Sequence, residues 1–143
     1  MKIIIAGATG FVGKEVVVQS IENSRISSII VLTRRHIDKI LSQHPKGAQG
    51  CVWCLGGKVE DFPDLETARK VGVNFTLTAA HAFVKGICPS LQPGQRFRFV
   101  FCSGNGAEWG QDKRLWVFSD TRKLKEAAER GLLDIAEDNR DVI

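Results

Sequence analysis

Residues 1–13 read MKIIIAGATGFVG. Ile3, Ile4, Ile5 and Ala6 form an unbroken apolar run, the pattern of a strand buried on both faces, and Gly7 ends it. From Val12 the apolar positions fall at Val12, Val16, Val17 and Ile21, which is helical spacing, so a helix opens near Phe11. A strand, a turn holding three glycines and a helix make a layout suited to a phosphate. Gly7 permits the tight bend, Gly10 lets the backbone approach a pyrophosphate, and Gly13 lets the helix pack closely on the strand. The free N–H groups and positive dipole end of the helix then hold the anion.

Working outward, SSIIVLT (27–33) is a second apolar, β-branched run, and with the first strand and helix it completes a βαβ unit. CVWCLGG (51–57) is a further strand ending in glycines. In LETARKVGVNFTLTAAHAFV (65–84), Ala68, Val71, Phe75, Ala79, Ala82 and Phe83 fall on one helical stripe. RFRFVFCSG (96–104) is a strand, and a last helix directs Leu124, Ala128, Leu132, Ile135 and Ala136 inward. Strands alternating with helices predict an α/β fold, a doubly wound parallel sheet, with residues 1–143 as a single domain.

The bulk numbers exclude several classes. With 43% apolar and 25% charged residues the composition is that of an ordinary globular domain. The net charge of +4 is spread along the chain and mixed with acids in the last helix, so nucleic acid is not an expected partner. The apolar opening is too short for a signal or a membrane span, which predicts a cytoplasmic protein without a membrane partner. Cys51 and Cys54 mimic a redox or metal pair, but alternation in a strand puts residues three apart on opposite faces, and the cysteines read as small core residues. His36, His44 and His81 share no ligand spacing, and no metal site is expected.

The turn Gly7-Ala8-Thr9-Gly10-Phe11-Val12-Gly13 resembles the nucleotide-binding turn, GxxGxxG, of the extended and atypical short-chain dehydrogenase/reductases, particularly their NmrA-like branch. Further features follow in that family's order: a basic end to the second strand, a strand ending in CLGG, Asn74 in the next helix, and FVFCSGNGAE. The resemblance spans most of residues 1–139 and implies a Rossmann-like domain that binds NADP or NAD.

Two departures accompany it. Residues 34–50 hold one short helix and a Pro/Gly turn where the family fits a third strand. In the 3-2-1-4-5-6 strand order that strand lies at the sheet edge, so its loss spares the central crevice but leaves the second strand as an apolar edge open to self-association. The chain also ends at Ile143, where the family continues into a sixth strand and a substrate region. It therefore reads as a shortened member, either a natural short form or a truncated gene model.

For the cofactor, the resemblance assigns Gly7, Thr9, Gly10, Phe11, Val12 and Gly13 in the turn, and Leu55, Gly56 and Gly57 over the dinucleotide. Arg34 and Arg35 stand where an NAD-preferring chain carries an acid, and paired guanidinium hydrogen bonds suit a 2′-phosphate, so NADP is expected ahead of NAD. Catalysis in the family uses a Tyr-x-x-x-Lys pair, and this chain has no tyrosine. Lys123 sits where the family's lysine would, with Ser119 four residues before it, Ser103 resembles the serine that orients a substrate carbonyl, and Asn74 resembles a helix asparagine that supports the lysine. The expectation is an NADP-dependent oxidoreductase of a small organic substrate, with a non-catalytic NADP-binding sensor or a vestigial fragment as the alternative.

Overall fold

The computed structural model describes residues 1–32, 46–104 and 119–140. In chain order the elements are β1 (Lys2–Ala6), α1 (Phe11–Glu22), β2 (Ser28–Leu32), β3 (Gly50–Trp53), α2 (Leu65–Arg69), a π-helical segment Lys70–Asn74, α3 (Phe75–Gly86), β4 (Arg98–Phe101) and α4 (Ser119–Asp138). The strands form one sheet in the order β2-β1-β3-β4, every neighbouring pair parallel. Among the described residues β2 and β4 are its two edges. The expectation of one short helix and no third strand falls largely on residues 33–45, outside the described residues.

β1 is covered on both faces of the sheet, which is why its run is apolar without alternation: Ile3 and Ile5 on one face and Ile4 and Ala6 on the other are all buried. Ile4 pairs in register with Ile30 on one side and Cys51 on the other. On one face Ile4, Ala6, Leu32, Cys51, Trp53 and Phe97 pack against Phe83 and Ile87, the latter from α3 and the residue just after it. Phe83 stacks on Phe97 and Phe99 with ring centroids 5.4 and 6.0 Å apart, so three aromatics seal α3 onto β4. Cys51 and Cys88 are buried in this core, and burial pushes the thiol pKa of both upward. No disulfide joins Cys51 to Cys54.

Two helix faces differ from their sequence pattern. In α1 the buried residues are Gly13 and Ser20, while Val12 and Ile21 are exposed, so small residues rather than the largest ones meet the rest of the molecule. From α2 onward the buried stripe is Ala68, Val73, Thr76, Ala80, Phe83 and Ile87, not the one through Val71 and Phe75. The cause is the π segment: Phe75 N–H donates to Lys70 O, five residues back, and the wider turn advances the inward position from Ala68 to Val73. By length and composition alone the 26-residue run Leu65–Ser90 is long and apolar enough to cross a membrane; its buried stripe instead packs within the fold. In α4, Ala128 and Ile135 are buried, and buried Glu126 is paired with Arg130 at 2.7 Å.

Candidate functional site

The chain runs from β1 to β2 on one side and to β3 on the other, so the strand order reverses between β1 and β3. Such a switch point opens a crevice at the C-terminal ends of the strands, because the connections diverge there. A cleft of about 750 Å³ occupies this place. It is lined by the Ala6–Gly10 turn, the ends of β2 and β3, Leu55 and Gly56, with Val71 and Phe75 as its far wall. The π segment is what supplies that wall, since the rotation that brings Val73 to the core leaves Val71 and Phe75 facing the cleft. None of the described lining residues is acidic.

The three glycines of the turn have separate geometric duties. Gly7 has φ +78, and a Cβ there would lie 2.7 Å from the Cys54 carbonyl, so both the left-handed bend and the approach to β3 require glycine. A Cβ on Gly13 would run into the Gly7 carbonyl, and this closeness lets α1 start directly on the turn. At Gly10 the added carbon would meet one atom, Gly7 O at 3.3 Å, and otherwise open space. Gly10 caps α1 with extended backbone and no side-chain hydrogen bond, and no acidic residue occupies the first turn. The first N–H groups of α1 thus meet no side-chain cap, which is the electrostatic requirement for an anion.

Of the other residues singled out for the cofactor, Thr9, Leu55 and Gly56 line the cleft. Phe11, almost wholly exposed, and Val12 sit in the first turn of α1 at its mouth. Gly13 is buried behind the turn, and Gly57 packs against Asp61 and Phe62. Arg34 and Arg35 lie outside the described residues.

The structure brings a different lysine to the site. Lys125 Nζ donates to Cys102 O at 3.2 Å, sits 5.0 Å from the centre of the Phe101 ring, and would be 3.2 Å from a Cβ on Gly56. Burial pushes its pKa down, opposed by the neighbouring thiols of Cys102 and Cys54 and by Glu129. Lys123, two residues earlier, is turned roughly 200° around the helix from it. Thr121, one turn before Lys125 on the same face, accepts a hydrogen bond from Val59 N–H at 2.8 Å and ties the loop after β3 to the start of α4. Ser103 is not at the cleft: it lines a separate groove of about 530 Å³ between the β4 edge and α4, with Phe99, Phe101, Leu132 and Ala136. Asn74 is exposed at the end of the π segment.

Two features had no single-residue signal. Trp53 lines the cleft, and its buried Nε1 donor has no hydrogen-bond partner among the described residues. Cys54 and Cys102, distant in sequence, stand opposite each other just past the ends of β3 and β4. Their match of position follows from strand register, which only the folded sheet supplies.

This arrangement has counterparts among solved structures. Yeast methylglyoxal/isovaleraldehyde reductase Gre2, complexed with NADPH, superposes with a TM-score of 0.73 at 17% identity over 99% of this chain and 54% of its own. MoeE5 in complex with UDP-glucose and NAD gives 0.70 at 18% identity, covering 95% and 49%. UDP-glucose 4-epimerase from Thermotoga maritima, with UDP-glucose, gives 0.69 at 18% identity, covering 96% and 52%. The chain has a partial Rossmann-like α/β fold, which these structures share. It spans about half the length of these structures, and at such identities the likeness is one of fold. No family model and no curated protein matches the sequence.

Proposed function

We propose that this protein binds a nicotinamide dinucleotide, NADP ahead of NAD, in the cleft between β1 and β3, as a cytoplasmic protein of the NmrA-like type. The observation that carries the reading is the cradle at Gly10, where the position a Cβ would fill opens onto an uncapped helix N-terminus at the strand switch point. Gly7 to Gly13 would hold the pyrophosphate, Leu55 and Gly56 would cover the dinucleotide, and Val71, Phe75 and Trp53 offer an apolar wall to a ring. Lys125, beside Gly56, supplies a cation on the same side, and Arg34 and Arg35 supply paired donors for a 2′-phosphate. The bound cofactor would supply hydride-transfer chemistry to a small organic substrate.

Gre2 is a reductase complexed with NADPH and MoeE5 is in complex with NAD, which supports the cofactor class and leaves the preference to the arginines. Among the described residues β2 is an edge strand, which supports self-association.

A second reading, dinucleotide binding without turnover, is favoured by one observation. The chain has no tyrosine, and one turn before Lys125 stands Thr121, whose hydroxyl accepts a backbone hydrogen bond. An aliphatic hydroxyl lacks the acidity to exchange a proton near neutral pH without strong activation. Calorimetric titration with NADPH and NADH tests the binding that both readings share. Saturable binding of NADPH, tighter than NADH, is expected, and absence of binding to either overturns both.

A further inference from the structure

Trp53 and Phe101 are register partners at the ends of β3 and β4, and Cys102 N–H donates to Trp53 O at 2.9 Å. Cys54 and Cys102 are therefore the next opposed pair. Both side chains are half-buried, and Cys54 lines the cleft. Neighbouring strands run about 4.7–4.9 Å apart, inside the Cα separation of about 4.4–6.8 Å that a disulfide spans. Closing the bridge also requires the Cβ atoms to come within about 3.5–4.5 Å, so side-chain rotation is joined by a small approach of the two strand ends. Lys125 stands beside both, its ammonium on Cys102 O; burial and the neighbouring Cys102 push the Cys54 thiol pKa up, and the Lys125 charge opposes this. Cys51 and Cys88, by contrast, are sealed in the core.

We propose that Cys54 and Cys102 are a redox pair, which a hydroperoxide converts to a disulfide tying β3 to β4 beside the cleft. In the first step the Cys54 thiolate attacks the O–O bond, giving a sulfenic acid, and the departing oxygen takes the thiol's proton and leaves as water or an alcohol. In the second, the Cys102 thiolate attacks the Cys54 sulfur, the S–O bond breaks, and hydroxide leaves with the Cys102 proton as water. The two thiols lose two electrons and the hydroperoxide gains them. The bridge lies next to the glycine turn, because the Cys54 carbonyl is the group a Gly7 Cβ would strike at 2.7 Å.

The test is peptide mapping of the full chain after hydrogen peroxide, alkylation of the remaining thiols and tryptic digestion. We expect residues 47–58 joined to residues 99–113, a mass about 2 Da below the reduced pair, and reversal by dithiothreitol. Since Cys51 shares the first peptide, Cys51→Ser must keep the link, whereas Cys54→Ser and Cys102→Ser must each lose it. A link retained in Cys54→Ser, a bridge formed only between two chains, or thiols oxidised separately without a link would overturn the proposal. A further arm rests on the dinucleotide reading: saturating NADPH should slow bridging several-fold, because Cys54 lines the cleft. Bridging at an unchanged rate leaves the redox pair standing and counts against the dinucleotide.

Discussion

Replacing Gly10 with valine separates binding from folding. The first added carbon meets Gly7 O at 3.3 Å, a contact relieved by a shift of a few tenths of an ångström. The backbone at position 10, with φ −76 and ψ 170, is extended and acceptable to a β-branched residue. Exchanging glycine for valine at a helix N-cap costs on the order of 1 kcal/mol, so the domain should stay folded. The branched side chain, however, occupies the space through which a pyrophosphate reaches the helix N–H groups. Hydrogen bonds to a charged group contribute about 1.5–3 kcal/mol each, and losing two of them weakens affinity by roughly 10² to 10⁴. Gly13→Ala offers the contrast, since its Cβ would collide with backbone and should lower both stability and binding. Titration of NADPH, followed by calorimetry or by quenching of tryptophan emission, gives the affinity, and a thermal melt gives the stability. Affinity within threefold of the unaltered protein in a folded Gly10→Val variant would refute the cradle.

Replacing Arg34 and Arg35 with alanine should remove a preference for NADPH over NADH worth roughly ten- to a hundredfold, as the loss of one charge-assisted pair implies; equal affinities in the unaltered protein would reduce the arginines to a basic loop. Turnover should lag binding by about 10² to 10⁴ relative to an enzyme with a positioned acid, so absorbance at the reduced-nicotinamide band should change slowly against a panel of ketones, aldehydes and enones. Lys125 is held below the ordinary lysine pKa by burial, so its charged form opposes folding. The unfolded chain binds this proton more tightly, and stability relative to Lys125→Met should rise with pH between the lowered value and about 10.4; paired melts in which that difference shrinks as pH rises would contradict the assignment.

What was legible in the chain followed the strength of its local signals. The run Ile3–Ala6 has no alternation because both faces of β1 are buried, and Gly7 and Gly13 are the positions where backbone meets backbone, so the βα turn could be read directly. The face of α3 could not, because a π turn carries no residue signature and a regular period places Val71 and Phe75 inward. Lys123 and Lys125 are two positions apart in a crowded basic stretch, and the choice between them depends on where α4 is rotated against β4. The Cys54 and Cys102 contact needed the pairing of Trp53 with Phe101, a property of the sheet. Ser103 was assigned from its position after a strand, yet β4 is an edge among the described residues, and its far side opens a second groove.

The segment Lys70–Asn74 makes the lining of the cleft and the packing of the core separately adjustable. A π turn holds one residue more than the α turn it replaces, so gain or loss of a single residue there acts as a change of phase rather than of length. The helix beyond it would turn by about 100° per residue, exchanging Phe75 for a different neighbour at the cleft while a new stripe faced Phe97. A one-residue deletion in this segment is thus a larger perturbation of the cleft wall than most substitutions on it.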